Sequence, residues 1–165
     1  MNIFLRLFKG VIFFIVACQW VYADEPSVEQ AALAAHNHFR AVHHAPPLVW
    51  DTTLANYAER YAAKCKFKHS SSPYGENLAA GYPTVNVAVN AWYAEQAQYS
   101  YLWPGFSYKT GHFTQVVWKS TQKLGCAFVL CDGKNGTPGH YLVCEYSPHG
   151  NVTNSGYFRA NVLKA

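Results

Sequence analysis

Residues 111–121, GHFTQVVWKST, read like a core strand around Phe113, Val116, Val117 and Trp118 that carries an imidazole, His112, where another apolar side chain would be expected. An imidazole can ligate a divalent metal, accept a proton or pair with a carboxylate. Read as a strand, the run puts His112, Thr114, Val116 and Trp118 on one face and Phe113, Gln115 and Val117 on the other. A lone strand histidine is more often a satisfied structural group than a ligand, so His112 needs partners. One candidate is Glu95. In a helical reading opened by Thr84, with Val85, Ala88, Val89, Trp92, Gln96 and Tyr99 on one side, Glu95 falls about 20° from Ala88 and borders the core. A second constellation is aromatic. Tyr99, Tyr101, Trp103, Phe106 and Tyr108 crowd one short segment interrupted by Pro104-Gly105, in a chain whose aromatic content is 16%. A loop has no regular core face to absorb such rings, so a pocket or a membrane-interface patch is a physical use for them.

These groups must be positioned by the elements around them. Ser27 with Gln30 forms a capping box, and Val28, Ala31, Ala32, Ala35, Phe39 and Val42 recur at helical spacing until Ala45-Pro46-Pro47. Asp51 or Thr52 can cap a second helix whose Leu54, Ala58, Tyr61, Ala62 and Cys65 share a face. Residues 68–78 have the turn chemistry of a loop. The last third changes period: Phe113 to Trp118, Leu124 to Leu130 and Tyr141 to Tyr146 read as short strands between turns. Helices followed by antiparallel strands predict an α+β domain whose sheet the helices cover.

The 165 residues suffice for one domain with a core. Arg6 and Lys9, the apolar stretch Val11 to Ala17 and the exit Val21-Tyr22-Ala23 have the pattern of a secretory signal peptide over residues 1–23, leaving a single domain over 24–165. The apolar stretch is short for a membrane span, the rival being an uncleaved anchor. Without Arg6 and Lys9, the 13 basic residues fall to 11 against 9 acidic ones, which is no nucleic-acid footprint. Cys18 leaves with the leader, and the even set Cys65, Cys126, Cys131 and Cys144 argues for two disulfides. A zinc-thiolate site is the rival, but the C-x-x-C spacing usual for structural zinc is absent. Asn135-Gly136-Thr137 and Asn151-Val152-Thr153 read as glycosylation acceptors of an extracellular protein.

GHFTQVVWKST resembles the first signature of the CAP superfamily, the cysteine-rich secretory, antigen 5 and pathogenesis-related 1 proteins. YLVCEYSPHGN at 141–151 resembles the second. His36-Asn37-x-x-Arg40, Pro47-Leu48-x-Trp50, His69 and Gly75-Glu76-Asn77-Leu78 match in the family's order, and PGFSYKTGH at 104–112 is similar to the fungal, yeast-like branch. The resemblance implies a three-layer α-β-α sandwich, the CAP fold, with a central antiparallel sheet. It implies a cleft holding His69, Glu76, Glu95 and His112, and disulfides Cys65 to Cys131 and Cys126 to Cys144. It treats His36-Asn37-x-x-Arg40 as structural; His36, His38, His43 and His44 are expected mostly as surface or capping groups.

In such a cleft His69 and His112 could hold a weakly bound zinc or magnesium ion, with the carboxylates orienting the rings. The rival is that rings and carboxylates merely satisfy one another, with no cofactor required. Hydrolysis is less well supported: neither H-E-x-x-H nor G-x-S-x-G is present, although two carboxylates could serve acid–base catalysis on a glycan. Tyr99, Tyr101 and Phe106 also fit the short caveolin-binding pattern associated with sterols in yeast-like relatives. On this resemblance Tyr99, Tyr101, Trp103, Phe106 and Tyr108 are the lipid-binding candidates, the rival being that they plug the sandwich edge. The expectation is a secreted protein that binds a sterol or other small hydrophobic lipid, for export, sequestration or host interaction. A peripheral membrane contact goes with it. A secreted hydrolase, or an effector or defence protein acting through a protein partner of unknown identity, are the alternatives.

Overall fold

The first helix is set by its own sequence. In the computed structural model, which describes residues 25–165, the Gln30 amide donates to Ser27 Oγ and the Ser27 amide donates to Gln30 Oε1, closing the N-terminus of α1 (Val28–Val42). The expected leader, residues 1–23 with Cys18, lies outside the described residues. Asp51 caps α2 (Thr52–Ala62) by accepting from the Thr53 and Leu54 amides. Thr84 caps α3 (Val85–Ala94), which tightens into a 3-10 turn at Glu95–Gln98. Cys65 does not share the inward face of α2: the helix ends first, and Cys65 follows with a left-handed φ of 50°.

Four strands, β1 (Val49–Trp50), β2 (Gly75–Ala80), β3 (Lys123–Asp132) and β4 (Pro138–Ser147), form one sheet in the order β1-β3-β4-β2. The β3–β4 and β4–β2 pairs are antiparallel. The two-residue edge strand β1 runs parallel to β3, so the sheet is mixed rather than wholly antiparallel. Lying between two helices, β1 is not held by a hairpin that would dictate its direction. Alternation along β3 and β4 supplies two cores. Leu124, Cys126, Leu142, Cys144 and Tyr146 face α1, α3 and Phe113 with Val116; Ala127, Cys131, Tyr141 and Val143 face Ala58 and Ala62 of α2. The result is the three-layer α-β-α sandwich. At Gly125 the backbone of α2 lies directly on β3, and a Cβ would collide with Ala55 N and Leu54. Cys126 and Cys144 are direct cross-strand partners and form one disulfide, while Cys65–Cys131 ties the end of α2 to the end of β3.

Three segments depart from expectation. Gly111–Val116 is a helix, α4, not the start of a strand. Phe113 to Trp118 are all buried, so no face alternation exists to distinguish strand from helix, and outside groups decide. The Glu95 carboxylate accepts the His112 and Phe113 amides at the N-terminus of α4. The buried Arg40 guanidinium donates to Val116 O and Trp118 O at its other end. Residues 75–78, expected in a loop, begin β2, because the edge of β4 is available to pair with them. Of the four N-terminal histidines, His36 and His43 are fully buried rather than at the surface. His36 Nδ1–H donates to Ala32 O at 2.7 Å and Nε2 accepts from the Tyr146 hydroxyl at 2.8 Å. Burial lowers its pKa to about 4 and keeps it neutral.

Candidate functional site

Glu95, at the end of α3, has two tasks. One oxygen takes the His112 and Phe113 amides at 3.0 and 3.1 Å; the other takes His112 Nδ1–H at 2.7 Å. A carboxylate at the open end of a helix satisfies orphan N–H groups and opposes the local dipole. Thr110, the residue preceding α4, supplies no side-chain cap, so Glu95 provides that cap from another element. The His112 ring also stacks on Trp92, with centroids 5.9 Å apart. Its Nδ1 is committed to Glu95, and Nε2 has no partner among the described residues.

The opposite wall repeats the pairing. His69 Nδ1–H donates to Glu76 Oε1 at 2.7 Å, and the Ser70 amide donates to the same oxygen at 2.9 Å. Hydrogen bonding to Glu76 holds the His69 pKa above its usual value. Beneath this pair lies Glu145, which sits within the second signature, 141–151, but is not among the residues expected in the cleft. It is directly opposite Glu76 in the β2–β4 register and fully buried. Ser72 Oγ–H donates to its Oε2 at 3.2 Å, whereas Glu145 Oε1 and Glu76 Oε2 are both buried without another partner among the described residues. One shared proton satisfies both oxygens. Burial and then the Glu76 carboxylate push Glu145 up to about 9. For Glu76, burial acts upward but the hydrogen bonds from His69, Ser70 and Glu145 outweigh it and hold the group below the usual value. Glu145 is therefore a neutral donor that supports Glu76, which in turn orients His69. The visible signal was an acid inside an apolar strand, YLVCEY; only the register shows that it meets another acid.

The two arms meet in one cleft of about 260 Å³, lined by His69, Glu76, Asn77, Phe106, Tyr108, Gly111, His112 and Asn151. Glu95 stands behind His112 rather than in the wall. Asn77 joins the cleft to the core, donating to His112 O at 3.1 Å and to the Tyr146 hydroxyl at 3.2 Å. Each imidazole held at Nδ1 by a carboxylate has the orientation and tautomer of a metal-ligating histidine. Among the described residues, however, no three metal-type side chains converge.

The aromatic segment is divided. Tyr99 is 9% exposed and packs edge-on against Tyr101 and Phe113; both tyrosines belong to the sandwich edge. Trp103 and Tyr108, 81% and 92% exposed, and Phe106, 44% exposed, project from the loop. Phe106 lines the histidine cleft and also a second cavity of about 500 Å³ between Leu102–Phe106 and Thr153–Arg159. The two glycosylation candidates also differ. Asn135 is exposed and donates to Lys64 O at 3.1 Å. Asn151 is not a free surface acceptor: its Nδ2 donates to Gly111 O at 2.9 Å, its Oδ1 accepts from Thr114, and it lines the cleft.

Comparison with known proteins adds a family to this geometry. The CAP family, described as the cysteine-rich secretory protein family, matches residues 33–146. "Secreted protein RBT4" of Candida albicans is 45% identical over 149 residues, covering 82% of this chain and 40% of that protein. "Protein PRY2" of Saccharomyces cerevisiae is 47% identical over 133 residues, covering 78% and 39%. "Pathogenesis-related protein 1" of Arabidopsis thaliana is 41% identical over 131 residues, covering 76% and 79%. The chain thus spans about two fifths of the two yeast relatives. Among solved structures, NaASP2 with Zn2+ superposes with a TM-score of 0.63 at 26% identity, covering 76% of this chain and 81% of that one. Schistosoma mansoni venom allergen-like protein 4 gives 0.65 at 24% identity, covering 83% and 95%, which is a likeness of fold.

Proposed function

The chain belongs to the cysteine-rich secretory protein (CAP) family as a secreted, pathogenesis-related-1-like member, and from that premise we propose that it binds a sterol or related small hydrophobic lipid beside its aromatic loop. The observation that carries this reading is the exposure of Trp103, Phe106 and Leu102 around the 500 Å³ cavity. Large apolar side chains left in water on one loop are costly unless something covers them. Cavities of roughly 300–1,000 Å³ are the usual size for small-molecule sites. The same rings could rest on a membrane surface while a lipid is exchanged. Sterol titration of the wild type and of Phe106→Ala tests the reading. Saturable binding that weakens roughly tenfold or more in the variant is expected; equal, unsaturable signals from both proteins would sink it.

The histidine cleft fits a weak metal site. Nε2 of His69 and of His112 would hold the ion, with water completing its shell. Two imidazoles suit zinc better than magnesium, which prefers oxygen ligands. A bound ion would supply Lewis acidity there, but a hydrolytic site generally has three protein ligands. The structural relative NaASP2, crystallised with Zn2+, supports the choice of metal.

A further inference from the structure

The larger cavity has a chemical polarity that a neutral sterol does not use. Its loop wall is apolar, from Leu102, Trp103 and Phe106, with Phe158 beneath. Its opposite wall, Thr153 to Ser155 and Arg159, offers hydroxyl, amide and guanidinium groups. Among the described residues Arg159 is the one ionisable residue lining it, and no acid there balances its charge. Among the described residues Arg159 makes no salt bridge and no side-chain hydrogen bond appears for it, although its charge reaches the Tyr99 hydroxyl. That hydroxyl is itself buried without a partner among the described residues. A guanidinium has five donors and no acceptor, and it pairs most strongly with a planar or tetrahedral anion.

Resting on the lipid-binding reading above, we propose that the cavity prefers an amphiphile with a rigid apolar body and a single anionic head, a sulfate or carboxylate, which Arg159 holds while Trp103 and Phe106 cover the body. The polar wall makes the choice. A purely apolar ligand would strip water from Arg159 and Asn154 without replacing those hydrogen bonds, whereas an anionic head replaces them and neutralises the charge. Because Arg159 is exposed, the attraction is screened by salt.

Cholesterol and cholesterol sulfate, the same body with and without the anion, separate this inference from the reading on which it rests. Each is titrated into the full chain at low and high ionic strength, and the ratio of the two affinities is compared with that of Arg159→Gln and Arg159→Lys. The wild type is expected to favour the sulfate at least about fivefold at low salt, with the preference shrinking in high salt. The ratio should fall to about one in Arg159→Gln and persist in part in Arg159→Lys. Equal affinity for both sterols in the wild type, or a sulfate preference that survives Arg159→Gln, overturns the inference and leaves the lipid reading intact. Failure of both sterols to bind overturns the lipid reading and the inference with it.

Discussion

Replacing Glu145 by glutamine should make the protein more stable at neutral pH and nearly unchanged in acid. An unfolded chain ionises this carboxyl near its ordinary value of 4.5, whereas burial beside Glu76 pushes it up to about 9 in the folded state. Below pH 4.5 both states hold the proton and no penalty exists. Between 4.5 and 9 the unfolded state releases it and the folded state keeps it, so stability falls as pH rises, by at most about 1.4 kcal/mol per pH unit. The ceiling at pH 7 is therefore about 3 kcal/mol. Glu76 acts in the opposite sense: its lowered value contributes stability above its unfolded pKa, lost as pH falls. The two carboxyls share one proton and titrate as a pair, so roughly 1–2 kcal/mol is the expected gain. Glutamine has the same shape, and its amide can donate to Glu76 Oε2 and accept from Ser72 without titrating. For a chain of this size that gain is a Tm increase of about 2–8 °C at pH 7, shrinking to within about 1 °C at pH 4.5. Thermal unfolding followed by circular dichroism at four pH values between 4.5 and 8 is the assay, with Glu145→Ala as the control that leaves Glu76 Oε2 unpaired. A glutamine variant that is destabilised at pH 7, or whose pH profile runs parallel to the wild type, refutes the shared proton.

Glu95→Gln should lower stability by roughly 1–3 kcal/mol, because three charge-assisted hydrogen bonds at the start of α4 become neutral ones or are lost. The same variant, by releasing the His112 ring, should weaken zinc binding measured by calorimetry. A folded variant with unchanged Tm and unchanged zinc titration would contradict both roles. Of the two disulfides, Cys65–Cys131 closes the longer loop, with a sequence separation of 66 against 18. Chain entropy gives about 4 kcal/mol for the first and about 3 for the second. Denaturant unfolding of the paired serine variants should therefore show the larger loss for Cys65 with Cys131, and the reverse order would show that the β3–β4 staple acts mainly through the native state.

The helix N-termini were legible because their signals are local: Ser27, Asp51 and Thr84 each accept from an amide within three residues along the chain. The family motifs were legible for a related reason, since residue order along the chain carries them. Residues 111–116 were not. Burial on every side from Phe113 onward suits strand and helix alike, and the groups that choose the helix, Glu95 and Arg40, come from the end of α3 and from α1. His36 and His43 were misplaced because a buried imidazole is acceptable only where its partners lie, and those partners, Tyr146, Leu163 and Tyr93, are distant in sequence.

The sequence by itself determined the helix starts, the four cysteines that pair and the motifs that identify an α-β-α member of the CAP family. Tertiary structure alone decided which polar groups work together. It paired each cleft histidine with a carboxylate, set Glu145 against Glu76, buried Tyr99 and packed Tyr101 against the sandwich edge, and left Trp103 and Phe106 around a cavity with Arg159 in its far wall. The reason is physical: a cap or a turn is fixed by neighbours a few residues away, whereas the burial and ionisation of a side chain are fixed by strand register and helix packing across the whole chain.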